Sequence, residues 1–515
     1  MKKIIINTYN EKIKNQIKRI EWVITLIPLL VISCLCIFFM YTPEKSAYIS
    51  NYIREFLGNK LGFFYILIGF GMFLCSLFIA FTRYGNIRLG AAEKKEYSSF
   101  KWGTMVFTST MAADILYYSL CEWALYAEEP YIKELGGIQK WAPTYPLFHW
   151  GPIPWSFYIV LAVAFGFMLH VRGRTKQKFS EACRPLLGHK VDKSAGKIID
   201  LVAVFSLLAG TATTFSLATP LLSKAFCSVF GLSDSKGITI SILLVIAFIY
   251  TITVLYGFKG ISRLAGVCTY LFFALLLYVL IGGGEVVYII ETGISALGNL
   301  TQNFIGMATW MDPLRKNSFV QNWTIFYWAY WMVWCVATPF FIGAISRGRT
   351  IRETILEGYA WGLAGTFTSF IILGNYGLAK QMKGSINMSE FIAGGGNITD
   401  AIMMLLNTLP MVKIALILLV ITMIIFYSTT FDALTIVVSS YSHKQLGINQ
   451  EPDKYIRVFW SILFILFPIA LIFSNDSMRI LQSVSIIAAF PIGIIVILIV
   501  ISFFRDAKNY LEEKK

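Results

Sequence analysis

Residues 22–41 read WVITLIPLLVISCLCIFFMY, twenty consecutive residues without a charged side chain. A helix of about 20 apolar residues crosses a bilayer, whereas the apolar core of a signal peptide has only about 7–15 residues. Similar runs recur along all 515 residues, which are 57% hydrophobic and 14% charged. Soluble domains are about a quarter charged. We therefore predict a membrane protein with many crossings, of which residues 22–41 form the first.

The apolar runs predict twelve membrane-spanning helices. Helices are expected rather than strands because lipid offers backbone groups no hydrogen-bond partners. The spans lie near residues 22–41, 62–82, 104–126, 147–171, 198–228, 237–257, 263–288, 322–346, 352–379, 412–441, 456–475 and 480–504. Two other stretches, Ile290–Met307 and Met388–Leu409, mix apolar and polar residues and could form helices that lie flat at the membrane surface.

The net charge of +15 is distributed unevenly along the chain. Most of the 44 Lys and Arg fall in segments that twelve spans place on one side, around Arg83–Lys101, Arg172–Lys197 and Ser346–Arg352. Positively charged loops face the cytoplasm, so we expect a cytoplasmic membrane protein with both termini cytoplasmic. A nucleic-acid-binding protein would gather its charge on one soluble face, so no nucleic acid partner is expected.

An aromatic stripe opens the eighth span, where residues 322–334 read NWTIFYWAYWMVW. Five rings share one helical face at positions i, i+4, i+7, i+8 and i+11, namely Trp323, Tyr327, Tyr330, Trp331 and Trp334. An interfacial belt would occupy about one turn, whereas this stripe rises about 16 Å. We interpret the stripe as the wall of a binding site, with a belt or plain packing as the alternative.

The fourth span begins HWGPIPWSFY at residue 149 and places Trp155 and Tyr158 one turn apart. Together the two spans suggest a box of rings within the membrane. Ring faces attract cations, and quaternary ammonium groups are the usual guests, at about 0.5–2 kcal/mol for each ring. A flat aromatic ligand that stacks on the rings is the alternative.

Three acidic residues lie within predicted spans. Asp114 is the functional candidate, because an acid in mid-span costs roughly 2.5–3.5 kcal/mol. It could face a permanent cation, carry a transported proton, or simply be protonated or bonded to a neighbouring helix. Glu122 and Asp432 are interpreted as structural. The small, polar stretches Thr108–Asp114 and Gly210–Thr214 could interrupt their helices at a central site.

The chain resembles the betaine/carnitine/choline transporter family from about the second span to the twelfth. The resemblance is carried by NWTIFYWAYW from residue 322, ISRGRTIRE from 345, FHWGPIPW from 148 and LATPLL from 217. It implies an all-α, LeuT-like membrane protein with two inverted five-helix repeats preceded by two extra helices, and a homotrimer. The implied segments are a tail (1–21), two peripheral helices (22–103), the first repeat (104–288), an extracellular connection with an interfacial helix (289–321), the second repeat (322–504) and a second tail (505–515).

The resemblance also implies which residues bind substrate. The residues that match the family's aromatic box are Trp150, Trp155, Tyr158, Trp331 and Trp334. Tyr330 stands where the family usually has tryptophan. Asp114 replaces the last glycine of a GMGIG stretch, as is typical of the choline carriers. Betaine and carnitine have their own carboxylate, which a fixed Asp would repel, whereas choline is only positively charged.

Ion coupling is implied less specifically. The hydroxyls of FYSTTFD, residues 426–432, either bond back to their own helix or bind a small cation such as sodium. Thr429 and Thr430 match the family's sodium site, which Phe426 and the backbone oxygen of Met111 complete. Cys268 stands where sodium-independent exchangers have an arginine. Sodium coupling and proton coupling through Asp114 therefore both stay open.

We predict a secondary active transporter of quaternary ammonium compounds, with choline-like cations favoured, that works by alternating access. The alternative is a carnitine or betaine carrier, including a precursor–product exchanger such as a carnitine/gamma-butyrobetaine antiporter. An enzyme or a receptor is disfavoured because the sequence has no catalytic, phosphate-binding or zinc motif, and no cofactor is expected. The SRGRT loop, residues 346–350, could hold a gate, a lipid headgroup or only loop charge.

Overall fold

The structure is a computed structural model that describes residues 19–91, 94–110, 113–256, 258–446, 450–472 and 477–514. In these ranges the chain forms helices joined by turns and loops, with two isolated β-bridges. The predicted all-α class is therefore confirmed.

The described ranges contain eighteen helices of eight or more residues. The first ten are α1 (Trp22–Tyr41), α2 (Pro43–Lys60), α3 (Gly62–Phe81), α4 (Ser99–Thr110), α5 (Asp114–Ala127), α6 (Pro152–His170), α7 (Ser194–Phe230), α8 (Lys236–Tyr256), α9 (Phe258–Gly282) and α10 (Val286–Thr309). The others are α11 (Ile325–Trp334), α12 (Thr338–Ile345), α13 (Ile351–Ser369), α14 (Asn375–Met382), α15 (Ile398–Leu406), α16 (Val412–Tyr441), α17 (Lys454–Ile472) and α18 (Ser477–Glu513). Shorter helical segments lie between them, and π-helical turns at 320–324 and 370–374 lead into α11 and α14.

Six helical segments of the described chain are long and apolar enough to cross a membrane by themselves. They comprise α1, α3, residues 138–170, α7, α16 and residues 482–513. Two bent pairs could add a crossing each, residues 266–282 with 286–309 at 114° and residues 320–334 with 338–345 at 55°. A multi-pass membrane protein agrees with these segments. The count of twelve, the inverted repeats, the orientation and the trimer stay predictions.

The sharp bend between α9 and α10 falls at adjacent glycines. Gly284 has a φ of +75°, a conformation that side chains with a Cβ rarely adopt. α10 covers the stretch Ile290–Met307, and Met388–Leu409 contains a short helix followed by α15. Their predicted placement along the membrane surface stays a prediction.

Helix α6 lies at the centre of the bundle. Every residue from Ile153 to Leu169 is buried, so α6 has no lipid-facing side. Its backbone crosses α12 closely, since a Cβ added to Gly343 would lie 2.7 Å from the backbone nitrogen of Gly166. Small residues at a helix crossing allow such an approach within a membrane. The crossing holds the end of the fourth span against the end of the eighth.

The two predicted helix interruptions differ. Ala113 lies in a turn directly before α5, and residues 111–112 of the same stretch are outside the described residues, whereas α7 runs without a break through Gly210–Thr214. A Cβ at Gly210 would lie 3.3 Å from Nε1 of Trp334. The prediction of an interruption in α7 was therefore wrong, because the small residue makes room for a ring. The eighth span, by contrast, is broken between α11 and α12.

The SRGRT loop is fastened to the loop after α3. The amide of Leu89 donates to the carbonyl of Arg349 at 2.8 Å, and that of Gly348 donates back to Leu89 at 2.7 Å. The Arg349 side chain is buried over the Trp102 ring, 4.5 Å from its centroid, and pairs with Glu357 at 2.5 Å. Arg349 is thus a structural cross-link rather than free loop charge.

Candidate functional site

The predicted aromatic residues of the fourth and eighth spans lie together in the core. Trp331 of α11 is at their centre, with its ring centroid 5.0 Å from Tyr158, 5.5 Å from Trp150 and 5.7 Å from Trp155. All of these side chains are at least 97% buried. The rings therefore face one another inside the bundle and not the acyl chains of the bilayer.

A small cavity lies among these rings. Its lining residues are Thr110, Asp114, Trp150, Tyr158, Tyr330, Trp331 and Trp334. Its volume, about 10 Å³ as measured for the centre of a water molecule, is enough for about one water molecule. Trp155 does not line this cavity, because it stands behind Trp331 against α13, where a Cβ on Gly362 would meet its ring at 2.5 Å. Thr110 does line it, although sequence reasoning did not single it out.

Two ring nitrogens at the cavity have no protein acceptor. Among the described residues, Nε1 of Trp331 and Nε1 of Trp334 are buried without a hydrogen-bond partner. An indole N–H can only donate. The cavity therefore offers ring faces for a cation, and two of its lining indoles have N–H groups that no protein acceptor occupies.

Asp114 is the acid of the cavity and is also held by its neighbours. Tyr330 donates its hydroxyl proton to Oδ2 of Asp114. The hydroxyl of Thr214, on α7, lies 2.8 Å from the Tyr330 hydroxyl and 3.4 Å from the same carboxylate oxygen. Asp114 thus combines the two roles that the sequence left as alternatives. Its carboxylate lines the cavity, where a ligand would bind, and it also accepts hydrogen bonds from neighbouring helices.

Glu122 of α5 positions the rings on the side of the cavity that leads to loop 127–146. Its Oε2 accepts hydrogen bonds from Nε1 of Trp150 at 2.8 Å and from the hydroxyl of Tyr327 at 2.7 Å. Its Oε1 accepts from the Tyr126 hydroxyl at 2.7 Å. The prediction of a structural Glu122 agrees with this geometry. The sequence did not reveal that its partners include a residue of the cavity.

His149 extends this network into a polar layer. Its ring stacks on Tyr327 at 4.8 Å, with Nδ1 2.7 Å from the Tyr126 hydroxyl and Nε2 3.0 Å from the Thr324 hydroxyl. The ring of Trp323 packs edge-on against Tyr126 at 4.9 Å. Hydrogen bonds and ring contacts therefore continue from the cavity to Glu129, which follows α5 and accepts from Nε1 of Trp323 at 2.7 Å.

A second, mostly apolar cavity of about 80 Å³ lies at the break of the eighth span. Thr338 and Phe341 of α12 line it together with Ser109 of α4 and Leu434 of α16. The Thr338 hydroxyl donates to the carbonyl of Ser109 at 3.1 Å and so ties α12 to α4. This cavity is on the side of the aromatic site that faces the basic loops.

The predicted ion-binding residues lie in α16, apart from Met111, which is outside the described residues. The Thr429 hydroxyl donates to the carbonyls of Ile425 and Phe426 at 3.0 and 3.1 Å, as hydroxyls in membrane helices commonly do. Thr430 is buried beside it. The oxygen of Thr429 keeps lone pairs that could bind a cation. The geometry therefore agrees both with a hydroxyl that only bonds back to its own helix and with a hydroxyl that also binds sodium.

Comparisons with known proteins show which family the sequence matches. The profile of the "betaine/carnitine/choline family transporter" matches residues 23–512. A probable glycine betaine transporter of Desulfitobacterium hafniense (strain Y51) is 30% identical over 480 residues, 91% of this chain and 94% of that protein. The uncharacterized transporter YeaV of Escherichia coli (strain K12) is 28% identical over 453 residues, covering 86% and 92%. A carnitine transporter of Acinetobacter baumannii is 26% identical over 438 residues, covering 84% and 79%.

A solved structure of a Na+-coupled sialic acid symporter aligns with 86% of this chain at 13% identity and a TM-score of 0.43, too low to show a shared fold. The family profile, in contrast, covers nearly the whole sequence. The chain therefore belongs to the betaine/carnitine/choline family of transporters.

Proposed function

We propose that this transporter carries quaternary ammonium compounds by secondary active transport and prefers choline-like cations. The supporting observation is that Asp114 lines the same cavity as the rings of Trp150, Tyr158 and Trp331. The ring faces attract a methylated ammonium head, and the carboxylate supplies the opposite charge. A substrate with its own carboxylate would meet repulsion at Asp114.

Transport requires the cavity to change size. A trimethylammonium head is larger than one water molecule, so the rings separate when the substrate enters and close around it afterwards. The break that follows Trp334 offers a hinge for this movement. In alternating access, one state opens the polar layer at Glu122 while the cavity at Thr338 is closed. The other state closes the polar layer and opens the cavity at Thr338 toward the basic loops.

Ion binding couples transport to a gradient when it favours one of the two facing states. A sodium ion would be held by Phe426, Thr429, Thr430 and the backbone of Met111. A proton would be carried by Asp114, whose protonation would remove the charge that faces the substrate. Each route is an alternative within the same proposal.

Betaine or carnitine transport is the second candidate. The indole N–H groups of Trp331 and Trp334 favour it, because a substrate carboxylate could accept hydrogen bonds from both. Two relatives are named as a probable glycine betaine transporter and a carnitine transporter.

Uptake into proteoliposomes tests the proposal. Radiolabelled choline, carnitine and glycine betaine are offered to the full-length protein, with a sodium gradient and a pH gradient imposed separately. The proposal expects choline to accumulate fastest, driven by one of the two gradients. Preferred accumulation of glycine betaine or carnitine would establish the second candidate. Binding without accumulation of any of the three would contradict transport of these compounds.

A further inference from the structure

A second polar cavity opens among the basic loops, away from the aromatic site. It has a volume of about 680 Å³ and lies where the ends of α3, α6 and α18 meet. Its polar lining residues are Arg83, Asn86, Arg88, His170, Tyr510 and Lys514. We call it the basic cavity.

The charges around the basic cavity are unbalanced. None of its described lining residues is acidic. The nearby acids of α18 have cationic partners outside the lining. Asp506 and Glu513 each accept a hydrogen bond from Arg172 at 2.8 Å, and Glu512 lies 3.9 Å from Lys508. Three cationic side chains thus share one concave surface, which raises the local concentration of anions.

Each cation can turn toward a ligand. Arg83 and Lys514 pack on ring faces, 5.7 Å from the centroid of Tyr84 and 4.9 Å from that of Tyr510. Arg88 donates from Nη1 to the carbonyl of Gly348 at 2.6 Å, and its remaining N–H groups are further donors. A guanidinium matches the geometry of a phosphate group, which it can bind through two parallel hydrogen bonds.

His170 forms a fixed wall of the basic cavity. Its Nε2 lies 3.1 Å and 2.9 Å from the carbonyl oxygens of Gly343 and Ala344. Carbonyls only accept, so Nε2 carries a proton and is occupied by these contacts. The permanent charges of the cavity are those of the two arginines and the lysine.

Exposed rings continue the basic cavity along the membrane surface. Phe78 and Phe81, in the last turn of the predicted span α3, are 53% and 68% exposed. Phe78 also packs against Tyr84 at 6.2 Å and Phe504 at 5.9 Å, beside the cavity wall. The cavity thus lies at headgroup depth, with apolar surface leading from it toward the acyl chains.

We propose that the basic cavity binds a phosphate-bearing anion, namely the headgroup of an anionic phospholipid, with its acyl chains along Phe78 and Phe81. Basic residues at a membrane surface attract anionic lipids. This site is separate from the aromatic cavity. The proposed binding of a lipid headgroup does not depend on which substrate the transporter carries.

The test counts lipid adducts of the purified full-length protein by native mass spectrometry. Dioleoylphosphatidylglycerol and dioleoylphosphatidylcholine are titrated against wild type, the double variant Arg83→Gln with Lys514→Gln, and a control, Lys190→Gln with Lys193→Gln. The control residues are exposed and lie in a basic loop, and their substitution removes the same number of positive charges as the cavity variant. Wild type and control are expected to retain phosphatidylglycerol, while the cavity variant binds it roughly 30-fold more weakly, at about fivefold for each charge.

A soluble source of phosphate is tested separately. Inorganic phosphate is added to protein in phosphatidylcholine nanodiscs, and the unfolding temperature is measured. A rise in wild type that is lost in the cavity variant, without selective phosphatidylglycerol binding, would support the phosphate site but replace the lipid by a soluble anion. If Arg83→Gln affects folding, Lys514→Gln alone should weaken lipid binding about fivefold. Equal lipid retention and equal phosphate response in cavity variants and control would overturn the proposal.

Discussion

The hydroxyl of Tyr330 donates a hydrogen bond to the carboxylate of Asp114, and so joins α11 to α5. The resemblance described above implies a tryptophan and a glycine at these two positions. A buried carboxylate is costly unless donors satisfy it. Tyr330 supplies the donor that a tryptophan could not place in the same way, so the two departures act as one change that brings a fixed charge into the cavity.

Replacing Asp114 by glycine should reverse this change. Asp114→Gly is expected to lower choline uptake at least about tenfold, or about 1.4 kcal/mol, and to leave glycine betaine uptake equal or higher. Uptake in proteoliposomes measures both. Ala113→Gly is the control, because it alters the backbone at the adjacent buried position without changing charge. Undisturbed choline uptake in Asp114→Gly would show that the carboxylate does not select the substrate.

Two buried indoles of α11 separate binding from packing. Trp331 lines the cavity, whereas Trp328 packs against Phe148 at 5.2 Å and lies outside it. Trp331→Leu should weaken choline binding by up to about 30-fold, since the lost ring face contributes about 0.5–2 kcal/mol. Trp328→Leu should lower the unfolding temperature but keep choline affinity within about threefold. Isothermal titration with choline and thermal unfolding distinguish the two. Equal loss of affinity in both variants would argue for general packing damage.

Glu122 should act on the substrate through Trp150. Glu122→Gln replaces an acceptor oxygen by an amide donor, and we expect choline to bind about tenfold more weakly. Glu129 is the control, because its Oε1 accepts from Trp323 at 2.7 Å outside the cavity. If the effect passes through the ring, Glu122→Gln and Trp150→Phe will be non-additive in a double-mutant cycle. Additive losses would mean that Glu122 does not position Trp150.

Arg349 should hold the basic loops together. Arg349→Ala removes one of the two cations that pair with Glu357, since Lys95 stays at 3.2 Å, and it removes the guanidinium packed over Trp102. We expect a cost of about 1–3 kcal/mol of stability, seen as a lower unfolding temperature. Arg347→Ala, two residues earlier and exposed, should change stability by less than about 0.5 kcal/mol. Similar unfolding temperatures for the two variants would contradict the structural role of Arg349.

The aromatic site could be predicted from the sequence because helical spacing decides which residues share a face. Tyr330, Trp331 and Trp334 follow that spacing, and their rings meet those of the fourth span. Spacing does not show which rings line the cavity itself. Trp155 contacts the Trp331 ring at 5.7 Å but is not among the lining residues, and its role in substrate binding stays a prediction.

The remaining features depend on contacts between distant segments. Glu122 joins Trp150 and Tyr327, which are 28 and 205 residues away in the sequence. Gly210 was expected to break its helix, but the Trp334 ring beside it explains the small residue. Pairings of this kind follow from tertiary packing and leave no local pattern in the sequence.

The most direct measurement compares choline with 3,3-dimethyl-1-butanol, its uncharged analogue with carbon in place of the quaternary nitrogen. Both molecules fill a similar volume, so only the attraction of ring faces and Asp114 for positive charge separates them. Competition against radiolabelled choline on the purified protein is expected to show the neutral analogue binding at least about a hundredfold more weakly, which is about 2.7 kcal/mol. Equal competition by the two would show that the cavity recognises shape and apolar surface, and not a cation.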